Sequence, residues 1–420
     1  MRITDDIFYV GVNDTEIDLF ESLYHVPNGM AYNSYVIADE AIAVMDSVDE
    51  RFGEEWLEKI EKVLREIEMA QEKETTLAER TPDYLIVQHM EPDHSANIAR
   101  FMEKYPEAVL VASDKAFPMI ENFFGTDYAD RRIMVRESDR ISLGRHTLTF
   151  IMAPLVHWPE VMVTYDECDK VLFSADAFGT FGTVGQEKWQ MYQESADEVT
   201  IVKKALDAWK PEARRYYFGI VGKFGAPVQK LLKKASALDI RMICPLHGPV
   251  LRENLPDYLV LYHTWSSYEP EEDGVLIAYA SVYGNTKKAA QILAEKLRER
   301  GFAEVSLVDL TRDDMSEAVA NAFRFSKLVL ATVTYNAMPF PPMREFIHNL
   351  SERGFQNRTV ALIENGSWAP TAAYVMREML SKCKNLTFTE QNICMRSSVK
   401  EDTRAQLDAL AAELAGEQVG

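Results

Sequence analysis

Two histidines and two carboxylates fall within six residues, His89-Met90-Glu91-Pro92-Asp93-His94, directly after the apolar run YLIVQ. Such a run reads as a buried strand, and its far end delivers side chains to a sheet edge. In extended backbone, residues 89, 91 and 93 project to one side. Pro92 is expected to keep the segment an open loop, because it cannot continue a helix. A solvated polar loop is the plain alternative. It weakens because the arrangement recurs. His157 follows a strand-like run in APLVHWPE, Asp176 ends one in VLFSADAFG, and His247 ends one in MICPLHGP. Ionisable groups at strand ends are where sheets assemble sites. The four segments together offer four His, two Asp and one Glu.

A chain of 420 residues is too long for one ordinary core, so two domains are expected. With 47% hydrophobic and 26% charged residues it has the make-up of a globular protein. No stretch approaches the roughly 20 apolar residues of a membrane span, and the start, MRITDDIFYV, does not read as a signal peptide. A cytoplasmic protein is expected. The formal net charge of -21 disfavours nucleic acid and anionic membranes. Cys168, Cys244, Cys383 and Cys394 form no CxxC pair. That spacing supports no structural zinc, iron–sulfur cluster or disulfide framework, and buried reduced thiols are expected. His146, His263 and His348 lack any ligand context and are read as structural.

Strand-like runs at 35–38, 42–45, 84–88, 109–112, 147–152, 162–165 and 171–174 alternate irregularly with helical patterns at 54–69, 96–104, 115–124 and 198–209. That mixture suggests helix-covered sheets, with a first domain over 1–265. The acidic stretch YEPEEDG reads as the end of a linker over 266–274. From 275 to 420 five strand-like runs alternate with five helical ones, which implies a parallel doubly wound sheet. Its first strand leads into Ser281-Val282-Tyr283-Gly284-Asn285-Thr286 before a helix start. Hydroxyls, a glycine and free N–H groups there suit a terminal phosphate. The loop lacks both the Walker lysine spacing and GxGxxG, which argues against a nucleoside triphosphate and a dinucleotide. Thr334-Tyr335-Asn336-Ala337 and Asn365-Gly366-Ser367-Trp368 follow later strands at the same edge. Each supplies an aromatic ring and polar backbone, as a flat isoalloxazine requires. Ordinary surface aromatics are the alternative.

The first cluster resembles the HxHxDH signature of the metallo-β-lactamase fold, with Glu91 in place of the second histidine. In this HxExDH form, with His157, Asp176 and His247, the chain resembles the flavodiiron proteins. The resemblance implies an α/β and α+β molecule: a metallo-β-lactamase-like αββα sandwich followed by a flavodoxin-like five-stranded parallel sheet. It implies one iron on His89, Glu91 and His157, a second on Asp93, His94 and His247, and Asp176 bridging them. Exchanging imidazole for a carboxylate at 91 suits iron better than zinc. The resemblance offers His25, in LYHVPNGMAYNSY, and Tyr192 as hydrogen-bonding neighbours of these ligands, with an ordinary polar or packing role as the alternative for each. The three later loops look like those of a flavodoxin binding FMN, departing from the usual form by Tyr283 where threonine is frequent and by fewer aromatics in NGSW.

The same resemblance implies a reductase of dioxygen to water, of nitric oxide to nitrous oxide, or of both. FMN would relay electrons from rubredoxin or a similar external donor, since no CxxC-bearing module follows the last helix. A head-to-tail homodimer, or a dimer of such dimers, is implied. The competing readings are a zinc hydrolase with a regulatory flavodoxin domain, and a non-catalytic electron carrier or gas sensor.

Overall fold

The structure, a computed structural model, describes residues 1–71, 80–185 and 198–417. The chain divides into two compact units, residues 1–217 with 226–262 and residues 218–225 with 263–420.

In the first unit a six-stranded sheet runs Ile7–Tyr9, Tyr35–Ala38, Ile42–Met45, Tyr84–Val87, Val109–Ser113, Arg132–Val135. A five-stranded sheet runs Arg140–Ser142, Thr147–Met152, Met162–Asp166, Val171–Phe173, Met242–Cys244. Alternation decides how they meet. Tyr35, Ile37, Ala43, Met45 and Ile86 turn one way and share a core with Leu148, Phe150, Met162 and Phe173 of the other sheet. The residues between them, Val36, Val44 and Leu85, are also fully buried. Gly53–Gln71 and Ile98–Lys104 are helical, and Trp56 of one packs on Phe101 of the other with ring centroids 5.7 Å apart. Tyr35 meets Phe173 edge-on at 5.4 Å across the two sheets. Phe173→Ala should therefore cost about 3–5 kcal/mol. It is expected to lower the urea midpoint of this unit without changing the slope.

Direction positions the site. In the five-stranded sheet, Thr147–Met152 and Val171–Phe173 are each antiparallel to Met162–Asp166, and Val171–Phe173 is parallel to Met242–Cys244. Three strands therefore end at one edge, where the segments bearing His157, Asp176 and His247 leave.

The second unit holds five parallel strands in the order Val305–Asp309, Glu272–Ala280, Phe325–Tyr335, Gln356–Asn365, Lys384–Phe388. In chain order this is 2-1-3-4-5, the flavodoxin-like winding. Two details differ from the sequence expectation. The first strand begins at Glu272, paired with Phe325 through an irregularity before Val275. The fifth position is filled by two segments, because Ile393–Met395 pairs with the end of the strand that Lys384–Phe388 pairs with at its start. Arg358, almost fully buried, donates to the carbonyls of Tyr268 and Phe323. No helix among the described residues is long and apolar enough to cross a membrane.

The thiols are more varied than expected. Cys244 is buried, Cys168 and Cys383 are half-buried and Cys394 is exposed.

Candidate metal centre and flavin cradle

His89 and Glu91 leave the strand Tyr84–Val87 in extended backbone, but Pro92 does not hold a loop. It occupies the first position of a one-turn helix, Pro92–Ser95, with Glu91 as N-cap. Proline suits that position, since its missing N–H has no helical partner there anyway. The turn lets the adjacent Asp93 and His94 face the same space, which extended backbone would forbid. The carboxylate of Asp46 braces the approach, accepting from the Gln88 N–H at 2.7 Å and its amide at 2.9 Å.

The seven side chains expected from the sequence come together as two facing sets. His89, Glu91, His157 and Asp176 offer ligand atoms all within 4.8 Å of one another, as do Asp93, His94 and His247. In the first set His157 Nε2 lies 3.2 Å from Glu91 Oε2 and 3.1 Å from Asp176 Oδ2, and His89 Nε2 lies 3.3 Å from Glu91 Oε2. In the second, His94 Nε2 and His247 Nε2 each lie 3.3 Å from Asp93 Oδ2. Asp176 divides its two oxygens. Oδ2 faces His157 and His89, whereas Oδ1 lies 3.5 Å from His94 Nε2 and 3.8 Å from His247 Nε2.

These groups fit a pair of cations. Asp93 Oδ1 and Oδ2 and Asp176 Oδ1 are buried and have no hydrogen-bond donor, an arrangement that costs free energy unless a cation satisfies it. His94 Nε2 and His247 Nε2 face each other at 2.9 Å. The outward nitrogens fix the tautomers. His247 Nδ1–H donates to the Ala31 carbonyl at 2.8 Å and His89 Nδ1–H donates to Glu160 Oε1 at 2.9 Å. Both rings therefore turn Nε2 inward. The potential inside is strongly negative. Burial opposes a charge on His157, yet hydrogen bonds to Asp176 and Glu91 push its pKa up to about 9. Burial likewise opposes ionisation of Glu91, yet the hydrogen bonds of His157 and His89 hold its carboxyl below the usual range. Burial wins at His94, pushed down to about 4.

Several groups at this site had no sequence signal. Glu160, buried, accepts from the His89 ring and from the Met90 N–H at 2.9 Å each. Trp158 packs edge-on against His89 at 5.3 Å, and Phe20 and Tyr216 against His247 at 5.5 Å. Tyr216 and Tyr32 are tyrosines found here, Tyr32 at 6.0 Å from the His247 ring, whereas Tyr192 lies outside the described residues. His25 is exposed; its carbonyl accepts from Arg215 at 2.9 Å, and Phe20 of the paired strand is what reaches the ligand ring. Glu160→Gln should leave the fold intact and lower iron affinity roughly 10–100-fold. Iron retained against graded chelator is the measurement.

The second unit gathers the flavin loops at one sheet edge. Gly284, at φ +86°, is the N-cap of the helix Asn285–Glu299, and no side chain caps it. A methyl group there would meet nothing within 4 Å, so the loop is open over the helix N-terminus, as a phosphate requires. Gly284 N–H donates to Ser281 Oγ at 3.1 Å. Buried Asn365 ties the loops, its amide donating to the Ser397 carbonyl at 2.9 Å and to Thr286 Oγ1 at 3.4 Å. Ser397 also meets Ser367, oxygen to oxygen, at 2.6 Å, which adds a fourth loop unforeseen from the sequence. Thr334 Oγ1 accepts from the Thr371 and Ala372 N–H groups, so it anchors the next helix. Asn336 and Ala337 take left-handed backbone, and Tyr283, Trp368 and Tyr335 stand 93%, 81% and 48% exposed, free to stack on a ring.

A sandwich with two facing ligand sets and a flavodoxin-type sheet with an open phosphate loop define a metal- and flavin-dependent oxidoreductase. Comparison with known proteins agrees. Residues 32–248 match the family model described as ODP family beta lactamase, and residues 276–393 match a flavodoxin domain. The anaerobic nitric oxide reductase flavorubredoxin of Vibrio vulnificus is 26% identical over 88% of this chain and 70% of its own length. The flavodiiron protein from Giardia intestinalis superposes with a TM-score of 0.86 at 25% identity, covering 99% of this chain and 95% of that one. Rubredoxin:oxygen oxidoreductase of Desulfovibrio gigas shares the fold, with a TM-score of 0.85 at 22% identity over 99% and 98%. The chain belongs to the ODP family and, with its flavodoxin domain, is a flavodiiron protein, an oxidoreductase that uses FMN and a non-haem di-iron centre.

Proposed function

We propose that this protein reduces dioxygen to water, nitric oxide to nitrous oxide, or both, in the cytoplasm, with electrons from a rubredoxin-type donor. His89, Glu91 and His157 would hold one iron, Asp93, His94 and His247 the other, and Asp176 would serve both. The division of the two Asp176 oxygens between the two sets carries this assignment. When bound, the iron pair supplies gas binding and electron storage, and FMN supplies electrons one at a time. The chain's own groups do the rest. Glu160 and the Ala31 carbonyl hold the outward protons of His89 and His247, so that Nε2 of each faces inward. Trp158, Phe20 and Tyr216 wall the ligand rings with apolar surface and keep bulk water from them. Glu91 adds negative charge and hard oxygen, which favours iron over zinc.

Gly284 and the N-terminus of the following helix would hold the flavin's phosphate, and Tyr335 and Trp368 would offer stacking surfaces to its ring. Ser281, Tyr283, Asn285, Thr286, Thr334, Asn336, Ala337, Asn365, Gly366 and Ser367 complete the contacting loops. The resemblance to flavodiiron proteins supports a head-to-tail homodimer in which one copy's flavin serves the other's metals.

The experiment is anaerobic turnover of iron- and FMN-loaded protein with reduced rubredoxin, dioxygen and nitric oxide being supplied separately. Consumption of at least one gas without release of peroxide is expected. Two tightly held zinc ions with esterase activity and no gas consumption would overturn the proposal.

A further inference from the structure

We infer that the chain has a second metal site, for zinc or another thiophilic divalent cation, formed by His146, Cys168 and Asp169 at the opposite end of the five-stranded sheet from Asp176. Register brings these residues together. Leu148 pairs with Asp166, and the Glu167 N–H donates to the Thr147 carbonyl at 3.0 Å. The same antiparallel register carried one step further sets His146 opposite Cys168, on one face of the ladder. The turn then closes on Asp166, whose oxygens accept from the Cys168 N–H at 3.2 Å and the Asp169 N–H at 2.9 Å. A nitrogen of His146, Cys168 Sγ and an Asp169 oxygen consequently lie within 4.8 Å of one another. Among the described residues this closeness of His, Cys and carboxylate ligand atoms occurs in three places, and the other two are the halves of the di-iron centre.

The surroundings are those of a built site. The His146 ring is fully buried, with Nδ1 3.0 Å from Asp166 Oδ1 and Nε2 3.3 Å from Asp6 Oδ2. An ion would take one nitrogen from its carboxylate and leave the other oriented by the second, the support that metal-bound histidines ordinarily have. Asp6 is paired with Arg145 and Asp39 accepts from the His146 N–H, while Asp169 has no cationic side chain within ion-pair distance among the described residues. One thiolate, one imidazole and one carboxylate form a mixed set that zinc accepts and that hard cations such as magnesium and calcium do not. Cys168 and Asp169 are half-buried, which leaves an entry path and a fourth position for water. Binding exchanges the Cys168 thiol proton and one ring proton of His146, whose two nitrogens both face carboxylates, for the ion. Bound there, the ion pins the turn at Cys168 to the start of the strand Thr147–Met152.

Sulfur makes the site separable from the di-iron centre, whose seven ligand side chains contain none. The test is zinc K-edge X-ray absorption on iron- and FMN-loaded protein titrated with zinc chloride and desalted. The expected result is one retained zinc per chain with a single sulfur neighbour at about 2.3 Å. In Cys168→Ser the sulfur shell should vanish and zinc affinity fall at least about 100-fold, with iron, FMN and turnover unchanged. Asp169→Asn, which leaves the thiol in place, should weaken zinc binding about tenfold and keep the sulfur shell. No sulfur neighbour in the native protein, or a sulfur shell that survives Cys168→Ser, would overturn the assignment.

Discussion

Asp176→Ala is expected to strip both irons together. Each carboxylate oxygen of Asp176 serves a different ligand set, Oδ2 toward His157 and His89 and Oδ1 toward His94 and His247. Removing it takes one anionic ligand from each ion and leaves two cations facing each other without the charge between them. The loss in affinity should exceed about 100-fold, the upper end of what outer partners of a metal ligand contribute. Asp93→Ala is the control, because its carboxylate faces His94 and His247 alone. It should empty one site first. Both variants should keep FMN, which the second unit binds with its own loops. Iron by plasma emission, with FMN by absorbance after acid release, separates the cases. An Asp176→Ala protein that retains two irons would refute the bridging role.

Glu91→His should be nearly as damaging, in a different way. Glu91 Oε2 meets both imidazoles of its set, at 3.2 Å from His157 and 3.3 Å from His89. Its replacement removes one negative charge and gives that set a third imidazole. Three imidazoles suit zinc, while carboxylate oxygen suits the harder ferric ion. Reconstitution with equal iron and zinc should therefore load zinc, and gas reduction should disappear because zinc has no redox chemistry. Two irons and full turnover in this variant would show that Glu91 does not select the metal.

A physical line separates the features legible in the sequence from those that were not. His89, His94, His157, Asp176 and His247 each sit beside an apolar strand, so neighbours in the chain betray them. The inner parallel strands of the second unit were visible for the same reason, as apolar runs between helical patterns, whereas Lys384–Phe388 offers only Leu386 and Phe388. Glu160 was invisible because the ring it holds lies 71 residues away. Ser397 was missed likewise, because its link to Asn365 crosses from one loop to another. Pro92 was misread because proline has two local meanings, and helix start won over helix break. The short first strands, such as Val12–Asp14 and Leu19–Phe20, carry too few residues to show a period. Spacing along the chain gave Cys168 and His146 no partners; antiparallel register supplies them.

The two proposed iron-binding sets are not chemically equivalent. One is made of His89, Glu91 and His157 with the nearer oxygen of Asp176, and its His89 leans on the anionic Glu160. The other has Asp93, His94 and His247, and its His247 leans on a neutral backbone carbonyl. An imidazole backed by a carboxylate is the stronger electron donor. Loaded with iron, the set at Glu91 would therefore favour the higher oxidation state, and the set at Asp93 would be the easier to reduce. Partly reduced protein would then hold its odd electron on a preferred side, as a valence-localised pair with two distinguishable Mössbauer doublets.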